Sequence, residues 1–337
     1  MDSLNTSMEK KHYPVMLEEV IKISSPENGG NFLDCTFGGG GYSKEILKYP
    51  KTKVVAIDRD KSVEKEALFL KKKFSDRFSF YHSKFSNIDN IIKSNDINTI
   101  LFDLGISSIQ LADFDRGFSF KSNNKLDMSM GLSSLSASDV LNKCDEKNLK
   151  LIFKIFGEEK EASKIAKKII KFREKKKFIL VKDLVEIIRE SKKKYLSRKI
   201  DVSTQTFQAL RIFVNKETTE LISAIIKASK LIKSGGKIII ISFHSIEDKI
   251  IKFFFSNYSK GKSNPSRYLP SSNSYNDYLF DNEKNFFLRP SSEEIKKNPK
   301  SRSAKLRYAV RSNKDFYYPK EMEIKFKKYL DLEKIDV

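Results

Sequence analysis

The chain has 337 residues, 39% hydrophobic and 32% charged, with 65 Lys and Arg against 44 Asp and Glu and a formal charge of +21. This length suits about two domains, and the apolar content fits a soluble globular protein rather than a disordered one. No apolar stretch reaches the roughly 20 residues of a membrane helix, residues 1–12 lack the apolar segment of a secretory signal, and the only cysteines, Cys35 and Cys144, exclude a thiolate metal cluster or a disulfide framework.

A cytoplasmic protein is therefore expected. His12, His82 and His244 are too scattered for metal-ligand spacing, so no metal is expected either.

In chain order, Asn31–Cys35 reads as a short buried strand, followed by glycines and a helix over Tyr42–Tyr49. Lys53–Ile57 is a second strand, Lys61–Lys73 a Lys-rich amphipathic helix, and Phe78–Tyr81 and Thr99–Leu104 two more strands. Strands alternating with helix-length segments predict parallel pairing, hence an α/β fold with a doubly wound, mostly parallel sheet. From Gly105 to Ser138 the chain is rich in Ser, Gly and Asn without a sustained period. Charged helices follow at Glu158–Lys176 and Val181–Lys194, then Thr206–Val214 and Glu217–Ile232, the last stopped by Gly235-Gly236. The Ile run Lys237–Phe243 reads as a buried strand, and Ser245 with Asp248 is placed to cap a helix over Ile246–Phe255. Residues 256–303 are too long for an ordinary connector and read as a mobile functional loop or as disordered. Lys305–Arg311 reads as a last strand. The economical division is a discontinuous α/β domain (12–108 and 207–315) interrupted by a basic helical insertion (109–206).

Between Leu141 and Ile200 there are 20 Lys and Arg against 9 Asp and Glu, about half of the chain's excess charge. A localised excess of this kind points to a polyanion, above all nucleic acid.

The run Asp34-Cys-Thr-Phe-Gly38-Gly-Gly-Gly41-Tyr42 lies between a strand and a helix. Glycines there let a ligand approach the backbone, and the helix start offers free N–H groups. The spacing is not that of a nicotinamide site, because the sixth position from Gly38 is Ser43, and no Gly-Lys-Ser/Thr follows as a P-loop requires. Asp58, at the end of the second strand, is placed to accept from both ribose hydroxyls of an adenosine-containing cofactor; Asp60 reads as the start of the next helix. Loop and acid together leave a dinucleotide and S-adenosylmethionine open. Asp103, at the end of the fourth strand, should face the same cleft, since ligands of parallel sheets lie beyond the strands' carboxyl ends.

The segments His12-Tyr-Pro-Val-Met-Leu, Cys35-Thr-Phe-Gly-Gly-Gly-Gly-Tyr, Ala56-Ile-Asp-Arg-Asp, Phe102-Asp-Leu-Gly-Ile-Ser-Ser and Arg116-Gly-Phe-Ser-Phe occur in this order. Thr206-Phe-Gln-Ala-Leu-Arg, Ile241-Ser-Phe-His-Ser-Ile-Glu-Asp and Asn298-Pro-Lys-Ser-Arg-Ser-Ala-Lys-Leu-Arg follow. The whole resembles the bacterial ribosomal RNA small subunit methyltransferase H family, from about His12 to Arg311. The resemblance implies a methyltransferase domain of the S-adenosylmethionine-dependent type with a helical insertion, and methylation of N4 of a cytidine in the decoding region of 16S rRNA. It implies 16S rRNA within the small ribosomal subunit as partner and S-adenosylmethionine as cofactor. The cofactor contacts it carries over are Gly40, Gly41, Tyr42, Asp58, Phe85, Asp103 and Gln110, with Phe85 flanking the adenine and Gly38 and Gly39 shaping the turn. Departures from the family are Tyr42 for a common His, Ile109 for Pro, and Ser129 and Gly131 for an Arg and an Asp.

Direct transfer to an exocyclic amine needs a group that orients the amine and accepts its proton. Asp103 is the first candidate, with Asp127 and His244 behind it, and Phe118 or Phe120 is available to stack on the base. Neither cysteine has a pattern that would activate a thiolate, which argues against methylation at a ring carbon. Lys167, Lys168 and Lys192–Lys194 are expected to grip rRNA phosphates. A methyltransferase acting on DNA or protein, and a non-catalytic RNA-binding assembly protein, are the alternatives; a homodimer stays open.

Overall fold

A computed structural model describes residues 13–192, 201–260, 278–281 and 286–337. His12, Lys193 and Lys194 lie outside the described residues. The strands are β1 (Gly30–Asp34), β2 (Thr52–Asp58), β3 (Phe78–His82), β4 (Ile97–Asp103), β5 (Ile232–Ser242), β6 (Phe286–Leu288) and β7 (Lys305–Val310). They form one sheet in the order β3-β2-β1-β4-β5-β7-β6. Strands β1 to β5 pair in parallel, while β7 runs antiparallel to β5 and β6 antiparallel to β7. The doubly wound, mostly parallel sheet expected from the alternation is therefore present. Chain direction across the sheet reverses between β1 and β4, which opens a crevice beyond their carboxyl ends.

The Ile run of β5 is fully buried because both faces of the sheet are covered. Successive side chains point to opposite faces. Ile239 and Ile241 pack with Leu101, Leu306 and the N-terminal helix Leu17–Ser24. Ile238 and Ile240 join Ile100 and Phe102 in a cluster that continues into the helices between β4 and β5. Those helices are Ala137–Lys143, Glu146–Phe156, Ala162–Arg173, Val181–Ser191, Thr204–Asn215 and Glu217–Leu231, after the short turn of helix Ser108–Ala112. The first two of the long set are absent from the sequence reading, although Leu149, Ile152, Phe153 and Phe156 have helical spacing and are all buried. Asp145 caps that helix, accepting from the Asn148 N–H at 2.6 Å.

Gly235-Gly236 does not end a helix. The helix stops at Leu231, Ile232 turns extended, and Gly235 at φ 74° sits where β5 slips its register against β4 between Ile97 and Thr99. The segment 256–303 is not structureless throughout: β6, the helix Ser292–Lys297 and the turn Pro299–Ser303 lie within it. Glu294 from this segment accepts the Met16 N–H at 2.7 Å, fastening it to the N-terminal stretch beside the crevice. No helix among the described residues is long and apolar enough to cross a membrane.

Candidate active site

The crevice at the β1/β4 reversal is a deep cleft walled by the glycine loop, the ends of β2 and β4, the start of the helix Glu217–Leu231 and Glu247. Tyr13–Val15, Asn298 and Lys300 also line it.

The loop is held from three sides. Asp34, buried at the end of β1, accepts from Ser43 Oγ at 2.7 Å and from the Thr36 N–H at 3.3 Å. Thr36 Oγ1 accepts the Asp103 N–H at 2.7 Å, tying the loop to β4. The Gly38 N–H donates to Asp58 Oδ2 at 2.8 Å, tying it to β2. Gly38, Gly39 and Gly41 face the cleft, whereas Gly40 is not at its wall. Gly40 instead turns the chain at φ 70°, and a Cβ there would stand 2.7 Å from the Phe37 ring. Gly40 thus shares the turn-shaping role with Gly38, whose φ is 49°.

Asp58 also receives the Asp60 N–H at 2.9 Å, so both of its oxygens are oriented while keeping a lone pair free. Burial pushes its carboxyl up to about 6. Asp60 caps the turn Lys61–Val63, as its position suggested; it also accepts from Gln110 Nε2 at 2.6 Å and from Arg116. Gln110 closes a capping box with Ser107, so its side chain braces the wall of the cleft it lines. Phe85 lines the cleft with its ring edge-on to Phe102, centroids 5.8 Å apart. Arg59, following Asp58, donates to Met130 O at 3.0 Å and Asn215 O at 3.1 Å, and its Nη2 is buried without a partner.

Asp103 ends β4 in the cleft. Its Oδ1 is buried with no hydrogen-bond partner, while Oδ2 lies 3.4 Å from the Tyr42 hydroxyl, which donates chiefly to Val15 O at 2.5 Å. Burial, then the charge of Asp34 and the more distant Glu247 and Glu294, pushes Asp103 up to about 8. Asp34 itself is pushed to about 6, again mainly by burial. Burial also drives the Tyr42 hydroxyl well above its ordinary value, so it remains a neutral donor.

Two other expected groups are not part of the cleft wall. Asp127 turns its own loop, accepting the Ser129 N–H at 3.0 Å. That loop ends at Gly131, where a Cβ would collide with the Arg59 carbonyl. His244, rather than Ser245, caps the helix Ser245–Asn257, with Nδ1 accepting from the Glu247 N–H at 3.4 Å. Asp248, assigned to that cap from sequence, instead pairs with Lys305 and Arg307, both at 2.8 Å. Phe118 is buried beneath Arg116, and Phe120 packs edge-on against Phe207, so neither faces the cleft. Cys35 and Cys144 are buried, and burial raises both thiols, Cys144 to about 11, which leaves them unreactive.

Glu217, Glu220 and Glu247 are cleft residues that sequence reasoning missed. Burial raises Glu247, but His244 and Arg211 outweigh it and hold the carboxyl below its ordinary value. Five carboxylates (Asp58, Asp103, Glu217, Glu220, Glu247) and two cations (Arg59, Lys300) therefore wall the cleft. Glu217 is paired with Arg211 and Glu220 with Lys84; the remaining acids would still repel a pyrophosphate, whereas an adenosine cofactor carrying positive charge would not be repelled. The donor set thus fits S-adenosylmethionine and disfavours a dinucleotide.

In the helical region, Lys192 is not a surface contact. Its ammonium is buried between Glu159 at 2.7 Å and Val202 O at 2.8 Å. Lys168 pairs with Glu190 at 2.7 Å on the surface. Lys164, Lys167 and Lys171 are exposed along one face of the helix Ala162–Arg173, spaced by three and four residues.

The MraW methylase family model matches residues 9–312. A curated relative, the ribosomal RNA small subunit methyltransferase H of Rickettsia akari (strain Hartford), is 40% identical over 308 residues, covering 90% of this chain and 99% of that protein. The protein of the same name from Ehrlichia canis (strain Jake) is 41% identical over 300 residues, covering 88% and 98%. A solved rRNA methylase from Streptococcus thermophilus covers 87% of this chain and 96% of its own at 9% identity, with a TM-score of 0.39. The chain belongs to the MraW methylase family.

Proposed function

We propose that this protein transfers the methyl group of S-adenosylmethionine to N4 of a cytidine in the decoding region of 16S rRNA. The observation that carries the reading is Asp103: a cleft carboxylate at the end of β4 with one buried oxygen that meets no protein donor. Its neighbours divide into a cofactor side and a base side. Asp58 is placed for the ribose hydroxyls, Phe85 for an adenine face, and the backbone of Gly38, Gly39 and Gly41 for close approach, with Tyr42 and Gln110 holding the walls. When bound, S-adenosylmethionine supplies a methyl carbon made electrophilic by its sulfonium.

The lone pair of a cytosine amine is delocalised into the ring, so its N–H groups must be gripped as the nitrogen is brought into line. Asp103 accepts one of those N–H groups through Oδ1 and takes the proton that N4 gives up once the new N–C bond forms. Loss of a nearby positive charge after transfer favours the protonated carboxyl, which assists that step. The buried, unactivated cysteines match transfer to nitrogen without a covalent enzyme adduct. A base reached in this way must be unpaired or turned out of its stack. The exposed lysines of Ala162–Arg173 are offered to the phosphates around it.

Deleting the gene and mapping modified nucleosides of 16S rRNA by mass tests the proposal. Loss of N4-methylation at one decoding-region cytidine, restored by the wild-type gene but not by Asp103→Ala, is expected. Unchanged 16S rRNA would refute it.

A further inference from the structure

We propose that the ring of Phe243 is the platform on which the target base stacks, holding the amino edge of that base against Asp103. This rests on the N4-methylation proposed above and names a residue on the substrate side of the same site.

The placement follows from the sheet. Strands β4 and β5 pair in parallel with Asp103 level with Ile241, and the Leu104 N–H donates to Ile241 O at 3.0 Å. Phe243 follows two residues beyond Ile241, next to Gly105 two residues beyond Asp103. Side chains two apart in a strand share a face. Leu101, Ile239 and Ile241 belong to one buried cluster, and Phe243 packs against it. Asp103, two residues after Leu101, therefore stands on the same face of the sheet as Phe243. Neighbouring strands lie about 4.8 Å apart, so the two strand ends bring a carboxylate and an aromatic ring side by side. Gly105 has φ 95° and no side chain, and a Cβ there would lie 3.5 Å from Phe243 Cδ2. The ring thus borders a bare backbone. Its own N–H donates to Glu247 Oε2 at 2.8 Å, which fixes the point from which the side chain projects.

Five aromatic residues line the cleft: Tyr13, Phe37, Tyr42, Phe85 and Phe243. Phe37 is 2% exposed and tilted against Phe78 and Phe80. Tyr42 is buried with its hydroxyl on Val15 O, and Phe85 meets Phe102 edge-on. Phe243 is only partly buried, and among the described residues no ring or cation stacks on it.

Strand order separates the roles. The residues placed for the cofactor come from the ends of β1 and β2 and the turn after β3, all on one side of β4, whereas β5 lies on the other. A base that meets Asp103 from the side the cofactor leaves open reaches Phe243. Tyr13, 51% exposed, is the rival platform, but it precedes the first helix and no strand register sets it beside Asp103. Stacking accepts any base, so Phe243 positions the target and leaves its selection to polar groups.

The test uses the full chain with S-adenosylmethionine and unmodified small ribosomal subunits. Phe243→Leu keeps apolar bulk but removes the ring, and Tyr13→Leu is the comparison. Phe243→Leu should lose about tenfold or more in kcat/KM for subunits, with S-adenosylmethionine affinity by calorimetry within about twofold of wild type; Tyr13→Leu should lose less. The chain contains no tryptophan, so Phe243→Trp installs a single fluorophore at the platform. Its emission should be quenched more by subunits carrying the target cytidine than by subunits reconstituted with an abasic residue at that position. Full activity of Phe243→Leu, a loss confined to cofactor affinity, a larger loss in Tyr13→Leu, or equal quenching by both kinds of subunit overturns the assignment while leaving the N4-methylation reading intact. If Phe243→Leu does not fold, the quenching comparison decides alone. Wild type that makes no N4-methylcytidine sinks both.

Discussion

Cofactor binding should be coupled to ionisation of Asp103. In the free protein, burial and then the charges of Asp34, Glu247 and Glu294 hold this carboxyl at about 8, against an ordinary value near 4. A cationic cofactor beside it favours the charged form. If only the ionised form binds well, the competent fraction is about one in eleven at pH 7 and about nine in ten at pH 9, so affinity should rise about tenfold between them. Binding at pH 7 should release close to one proton. Calorimetry with S-adenosylmethionine from pH 6.5 to 9, in buffers of different ionisation enthalpy, reads both quantities. Asp103→Asn should flatten the pH dependence and abolish the proton release. Affinity constant within about twofold over this range, with buffer-independent enthalpies, would refute the reasoning. The stability consequence has a definite sign. A carboxyl raised in the folded state stabilises at low pH, and that contribution is lost as pH climbs through about 8. Asp34 and Asp58, both raised to about 6, act in the same direction. The cofactor-free protein should therefore melt at progressively lower temperature from pH 5 to pH 8, and Asp103→Asn should reduce that slope.

Tyr42→Phe removes a hydroxyl that favours ionised Asp103, so the midpoint of the binding profile should move to higher pH; no movement would separate the two groups. Replacing Lys164, Lys167 and Lys171 by Gln should lower RNA affinity and reduce the slope of log affinity against log salt by about 0.7 to 0.9 for each phosphate no longer neutralised. An unchanged slope would place the RNA elsewhere. Lys192→Met should act on folding instead. It leaves Glu159, 1% exposed at its side chain, buried without its partner, at a cost of about 3 to 5 kcal/mol in denaturant unfolding. A neutral result would mean that water reaches Glu159.

The convergence of the glycine loop, Asp58 and Asp103 on one cleft was legible because it is local. The glycine loop, Asp58 and Asp103 each sit at a strand end, and strand ends of a parallel sheet converge whatever the rest of the chain does. Glu217, Glu220 and Glu247 were not legible. They line the same cleft only because β5, with the helix before it and the helix after it, pairs with β4 across more than a hundred intervening residues, and nothing near them announces that pairing. The same limit explains Lys192: a lysine in a basic run reads as a solvated charge until the helices place Glu159 against it. At the cap before Ser245-Ile-Glu-Asp, residue type favoured the serine. His244 does that work because its ring nitrogen reaches the Glu247 N–H, a less common cap that also sets its tautomer. Gly40 differs from its neighbours through the ring of Phe37, a proximity that the run of four glycines does not encode.

The most direct test of the account is a methyl-transfer assay with purified protein, labelled S-adenosylmethionine and unmodified small ribosomal subunits, with the labelled nucleoside mapped. Label at N4 of a single decoding-region cytidine, abolished by Asp103→Ala, is the predicted result. Label on another atom, on protein, or undiminished in Asp103→Ala would contradict it.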